Sequence, residues 1–205
     1  MMIFTVIEYN IHMKIRNDFV SNSSSSSFIV INDTNKIYPD IHDYHTEYDP
    51  LMLPTGEYGG EYSFGWEFEE YRSFWSKLNW CAILITQMEY YVNMPEEDKA
   101  WYMDNEYSKR DYEKRLVFSN NHYEEYKEML KNVCRNELGL CVDVLTYEET
   151  DKMFAYIDHQ SDIFSDPDNA RMFADESTLS DFLFSIDSYI KTGNDNSEPP
   201  EGWYD

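Results

Sequence analysis

Hydrophobic positions along the chain fall into short clusters divided by polar, acidic stretches, and their spacing predicts both strands and helices. Phe28, Ile29, Val30 and Ile31 form a compact apolar run of the buried-strand type. Residues 61–68 alternate polar and aromatic positions with some slippage and read as a strand. Residues 78–92 are dense in apolar side chains and long enough for a helix, although Ile83, Ile85 and Val92 are β-branched. The charged stretch 96–115, opened by Pro95, is expected to be helical in part. The clearest helix spans 121–138, with Tyr123, Tyr126, Met129, Leu130, Val133 and Leu138 at helical spacing. Ser119 or Asn120 is its expected N-cap, and Gly139 suits the position just past its end. Residues 140–145 and 153–157 read as strands. A second amphipathic helix is expected over 179–190, with Leu179, Phe182, Leu183, Ile186 and Ile190 on one stripe and Asp175 and Glu176 favouring its N-terminus.

Strands and helices mix without regular βαβ alternation, so the expected class is α+β. The expected form is a single compact domain with a mixed or antiparallel sheet packed against two or three amphipathic helices. Residues 13–192 make that domain. Residues 1–12 precede a second plausible initiator, Met13. Residues 193–205 read as an acidic C-terminal tail.

Charge changes the picture next. The 205 residues hold 40 Asp and Glu against 16 Lys and Arg, a net charge of −24. Acidity of this degree signals disorder when aromatics are few, but here 17% of residues are aromatic and 42% hydrophobic, so a folded protein is expected. Direct nucleic-acid binding and docking on anionic lipid both need clustered Lys and Arg, and the composition argues against each. The charge is also polarised. Residues 37–71 hold nine acids and no base, and residues 137–205 hold 17 acids against three bases, whereas residues 99–135 carry eight of the 16 basic residues. Carboxylates arrayed on a folded surface can imitate DNA phosphates and attract a basic partner, and Asp40, Asp43, Glu47, Asp49, Glu67, Glu69 and Glu70 are the candidates.

Cys81, Cys134 and Cys141 have neither a disulfide framework nor zinc-site spacing, which fits buried thiols in a reducing cytosol. The longest apolar cluster, Trp80 to Ile85, is far shorter than a membrane span, and the first residues lack the basic region of a signal peptide. The cytoplasm of a host cell is the expected compartment.

Three polar segments could carry chemistry. Asn22 with Ser23, Ser24, Ser25, Ser26 and Ser27 could cradle an anion through hydroxyl and backbone N–H groups, with Ser25 as a nucleophile if a base lay within reach. The glycines and lysine of a P-loop are absent. Asp158, His159 and Ser161 stand at a strand end, where His159 could act as a general base. Asn194, Asp195 and Asn196 follow Gly193 in a turn-forming string, where Asp195 could orient that base. The same oxygens could ligate Mg²⁺ or Ca²⁺, but the spacing is not that of a known loop. His42 and His45 lack a third histidine nearby, so no metal or cofactor is expected.

The string from Met13 through Lys14, Ile15, Arg16, Asn17, Asp18, Phe19, Val20 and the serine run to Phe28 resembles a recurring opening of uncharacterised proteins of bacteriophages and Firmicutes. Residues 156–161, 188–196, 64–67 and 77–80 are similar to that group as well. The resemblance implies a phage or mobile-element origin and a start near Met13, with residues 1–12 as an upstream-start extension, and it carries no activity. It also implies that the polar segments 22–27, 158–161 and 194–196 could converge on one site.

Two function classes follow. The first is a non-enzymatic interaction or inhibitor protein whose acidic, aromatic surface binds a basic host protein, such as a nucleic-acid enzyme or a defence component. The second is a small enzyme or nucleotide-binding protein built from the three polar segments. The second requires those segments within hydrogen-bond reach of one another.

Overall fold

The computed structural model describes residues 26–65, 67–158, 163–164, 167–193, 200 and 203. The expected 1–12 extension and most of the 193–205 tail lie outside these residues.

The interior is organised around one helix. α1 (Phe74–Asn93) is apolar nearly all round, and Trp80, Cys81, Ala82, Ile83, Leu84 and Ile85 are each 1% exposed or less. A helix without a polar face must be interior, which explains why this stretch shows no amphipathic stripe. The Ser73 side chain caps its start by accepting from the Ser76 amide. After α2 (Glu96–Tyr102) comes α3 (Glu106–Leu138), about 50 Å long at 1.5 Å per residue. α3 makes the most extensive packing against α1, joined by α4 (Tyr147–Lys152) and α5 (Glu176–Phe184). A 3₁₀ helix over Pro167–Ala174 leads into α5.

Among the described residues, seven short strands form three small sheets. β1 (Ser26–Val30), β7 (Tyr189–Gly193) and β4 (Glu69–Tyr71) make an antiparallel sheet with β7 in the middle. Ser26 lies opposite Gly193, Ser27 opposite Thr192, and Glu69 opposite Thr192 from the other side. β2 (Leu51–Leu53) pairs with β5 (Val142–Val144), and β3 (Ser63–Phe64) with β6 (Tyr156–Ile157), both in parallel. The class is α+β, as the pattern of residues predicts, with the sheet content divided among three small sheets.

Several local expectations change, among them the strand expected over 153–157, which is only β6 because Met153 caps α4 and Phe154 turns the chain at φ 56°. The expected break at Ser119 or Asn120 is absent, and the cap of α3 is Asn105, whose side chain accepts from the Ser108 amide. Tyr112, Ser119, Tyr126 and Val133 recur every seven residues and are all buried, so one stripe carries the helix back through the charged stretch. Gly139 does end α3, in the left-handed region at φ 66°. α5 stops at Phe184 instead of running to residue 190. Tyr189, Ile190 and Thr192 have strand-favouring side chains, and pairing to β1 and β4 on both sides outweighs the helical stripe. The strand expected over 61–68 is only β3, because Gly65 turns the chain at φ 115° before β4 begins.

Beside the main core sits a small tyrosine cluster of Tyr91, Met94 and Tyr112, with Tyr90, Tyr102 and Leu116 packed on it. The Tyr90 hydroxyl donates to Asp98 at 2.9 Å, which ties α2 to the end of α1.

Candidate functional site

Two places gather the residues singled out from the sequence. The first is the segment 36–49, which crosses the outside of the core. Its start is anchored by a bridge between Lys36 and Ser185 and by the Ile37 amide on the Phe184 carbonyl at 2.8 Å. The Tyr38 ring lies 4.9 Å from that of Phe184, and its hydroxyl donates to Glu137 at 3.0 Å. Further along, Tyr58 stacks on Trp75 at 4.2 Å and donates its hydroxyl hydrogen to Asp43 at 3.0 Å. That hydroxyl has one hydrogen, so His45, whose Nε2 is 3.3 Å away, is the donor to it. Burial and the Asp43 carboxylate both push the Tyr58 phenol up, so it stays a donor.

The far end is a tight turn. Thr46 and Asp49 exchange two backbone hydrogen bonds of 3.1 Å, and the Tyr48 amide donates to the Thr46 hydroxyl. Glu47 and Tyr48 form the tip, with Tyr48 fully exposed and Tyr44 89% exposed. Arg135, in the last turn of α3, holds Glu47 at 3.2 Å. Asp40, Asp43, Glu47 and Asp49 are all exposed, so the segment presents carboxylates and phenols together on a backbone fixed at several points. Two histidines lie on it without converging: His42 faces Asp40 at 3.7 Å, whereas His45 faces Tyr58. No cluster of three or more metal-ligating side chains occurs among the described residues.

Glu67, Glu69 and Glu70 are exposed too, but two of them are engaged internally. Glu70 pairs with Arg72 at 2.6 Å, and Glu69 accepts from the Tyr71 hydroxyl. Burial, aided by Glu69, raises the Tyr71 phenol far above its ordinary value. Asp43 and Glu47 are engaged as well, by Tyr58 and Arg135, whereas Asp49 keeps an exposed carboxylate.

The second place is the end of β7. The expected polar set falls there in part. Asn22, Ser23, Ser24, Ser25, His159, Ser161, Asn194, Asp195 and Asn196 lie outside the described residues. What is described shows their flanks brought together. Ser26 and Ser27 pair with Gly193 and Thr192. The Thr192 hydroxyl donates to the Glu67 carbonyl at 2.8 Å. Asp158, 4% exposed, packs against Gly65, and its amide donates to the Phe64 carbonyl at 2.9 Å. Ser26 and Ser27, Gly193 and Asp158 thus lie near one another, linked through Phe64, Gly65 and Glu67. The described side chains there are oxygen acceptors and a hydroxyl already donating. The nearby cation, Lys191, sits over the Trp203 ring at 4.6 Å.

Sequence reasoning passed over the polar residues of α1. Lys77 and Asn79 are 1% and 0% exposed, and both are structural. The Lys77 ammonium donates to the carbonyls of Ser185 and Ser188 at 2.7 and 3.2 Å and so secures the turn between α5 and β7. Asn79 bonds the backbone of Thr55 and Glu61. The signal was available: two polar residues inside an otherwise apolar helix must either find partners or break the core. Cys81 and Cys134 are buried free thiols, and burial pushes both up, Cys134 to about 12. Comparison with protein-family models, with curated proteins and with solved structures finds no match to this chain.

Proposed function

We propose that the chain is a non-enzymatic interaction protein of phage or mobile-element origin, and that the segment 36–49 binds a basic host macromolecule. One observation carries the reading. Exposed carboxylates at Asp40, Asp43, Glu47 and Asp49 alternate with the exposed rings of Tyr44 and Tyr48 on a segment tied to the rest of the fold by the Ile37 amide and by side-chain contacts at Tyr38, Asp43, His45 and Glu47. Tyrosine supplies contact area at low entropic cost, and pre-fixed backbone reduces the ordering penalty of association. Carboxylates around it steer a basic partner and set salt dependence. The polarised charge of the sequence and the phage-type opening point the same way. A nucleic-acid enzyme or a defence component has the required basic surface.

The test is capture of host proteins from a lysate on the immobilised chain, with salt elution and mass spectrometry. It is run beside a triple variant, Glu47→Gln, Tyr48→Ala and Asp49→Asn. A basic protein eluted by salt and lost with the variant is expected. Salt-insensitive capture, or an identical set of proteins on the variant, would overturn the reading.

The junction at β7 favours a second reading, a small enzyme or nucleotide-binding protein using Asp158 with the neighbouring polar segments. Equilibrium dialysis against nucleotides, with Asp158→Asn as the comparison, tests it. Binding that is absent or indifferent to the substitution removes it.

A further inference from the structure

Among the described residues, almost every lysine and arginine has a carboxylate, carbonyl, ring or other partner. Lys109, Arg110 and Lys114 do not. In a chain of net charge −24, three unpaired cations within six residues is an anomaly of placement, since carboxylates outnumber bases 40 to 16 overall. They lie in the N-terminal half of α3, about 37 Å along the helix from Arg135, which holds the acidic turn. This is a different surface from the segment 36–49.

The apolar surroundings are equally unusual. Tyr107, Arg110, Lys114 and Val117 follow one another at spacings of three, four and three, so they share the outward stripe of α3. Tyr107 is 83% exposed and Val117 61%. At the corner between α2 and α3, Trp101 and Met103 are also largely exposed. Arg110, Lys114 and Val117 line a groove of about 500 Å³ together with Phe118, with Glu113 as the one carboxylate in its wall. Beneath it the tyrosine cluster of Tyr91, Tyr102 and Tyr112 holds the corner in place. Exposed Trp, Tyr, Met and Arg are the side chains enriched in protein interfaces and depleted on free surface.

The geometry points to this stripe as a docking surface for an acidic polypeptide segment that carries aromatic or other large apolar side chains. Charge decides the kind of partner. Arg110 and Lys114, one turn apart, present adjacent donors to carboxylates, while Val117, Tyr107 and Trp101 offer the apolar area between and beside them. A purely anionic ligand would leave that apolar area uncovered. A basic partner would meet the three free cations.

The probe is a fluorescein-labelled random copolymer of glutamate and tyrosine, with polyglutamate and a single-stranded oligonucleotide as comparisons, followed by anisotropy at low salt. The copolymer is expected to bind, and Arg110→Glu with Lys114→Glu to weaken it at least about tenfold. Tyr107→Ala with Val117→Ser is expected to weaken the copolymer while leaving polyglutamate unchanged. All four side chains are exposed, and circular dichroism verifies the fold of each variant. The proposal is overturned if the copolymer fails to bind, if charge reversal leaves its affinity intact, or if polyglutamate or the oligonucleotide binds as tightly. Concentration-dependent sedimentation of the protein alone, abolished by the charge-reversed pair, would overturn it in favour of a second copy as the occupant.

Discussion

Asn79 and Thr55 form a closed pair. The Asn79 side-chain oxygen accepts from the Thr55 amide at 2.9 Å while its amide nitrogen donates back to the Thr55 carbonyl at 2.8 Å. The same nitrogen reaches the Glu61 carbonyl at 3.0 Å. One buried side chain on α1 thus substitutes for a strand in satisfying the loop between β2 and β3. Asn79→Ala leaves three backbone groups without partners, so a loss of about 3–5 kcal/mol is expected. Asn79→Asp should also fail, because an acceptor would replace the donor facing two carbonyls. Urea denaturation measures both, and an unchanged midpoint would contradict this role.

Gly65 has φ 115°, and an added Cβ would lie 2.5 Å from that of Asp158. Both the backbone conformation and the space exclude a side chain. Gly65→Ala is expected to destabilise the fold by about 2 kcal/mol or more and to loosen the contact between β3 and the Asp158 end. Amide exchange at Asp158 and Tyr156 should rise in the variant. Protection equal to the parent would show that the close approach is dispensable.

Lys77 predicts a pH dependence. Burial lowers its ammonium from 10.5 to about 8. The unfolded chain then keeps a proton that the native state releases between those values, so stability from this residue rises with pH across that window. Tyr71 and Tyr90 act in the opposite sense. Their phenols are raised in the folded state, so stability falls once unfolded tyrosines ionise near 10. Between about pH 7 and about pH 9.5, the parent should gain about 2 kcal/mol relative to Lys77→Met. Denaturant midpoints across this range decide it, and parallel pH profiles would exclude a lowered Lys77 ammonium.

Tyr58 should control how firmly the acidic segment is held. Its ring stacks on Trp75 and its hydroxyl bridges His45 and Asp43. Tyr58→Phe is expected to cost at most about 1 kcal/mol and to speed amide exchange around Asp43 and His45. Tyr58→Ala, which also removes the stack, should cost about 2–3 kcal/mol. If exchange in 40–49 is unchanged in both, the pinning lies elsewhere.

Much of the fold was legible in local pattern. The dense run around Trp80 to Ile85 marked the central helix, Gly139 marked the end of α3, and Asp175 caps α5 by accepting from the Thr178 amide. What was missed depended on partners distant in sequence. Tyr112 and Ser119 do not read as core positions until α1 is placed against them. Ile190 fits a helical stripe or a strand equally well, and only pairing with β1 and β4 decides. The candidate surface was legible as composition, in the acids of 40–49. That Glu69 and Glu70 spend themselves on Tyr71 and Arg72, whereas Asp40 and Asp49 stay exposed, is a matter of tertiary placement.

The central position of β7 has a consequence for biosynthesis. β1 and β4 do not pair with one another. Both add to a strand that begins at Tyr189, so neither can complete its hydrogen bonding until nearly the whole described chain has been made. At ordinary elongation rates the first strand waits on the order of ten seconds or more with its edge unpaired. The exposed acids Glu69 and Glu70 on β4 are charged side chains of the kind that blunt an open strand edge.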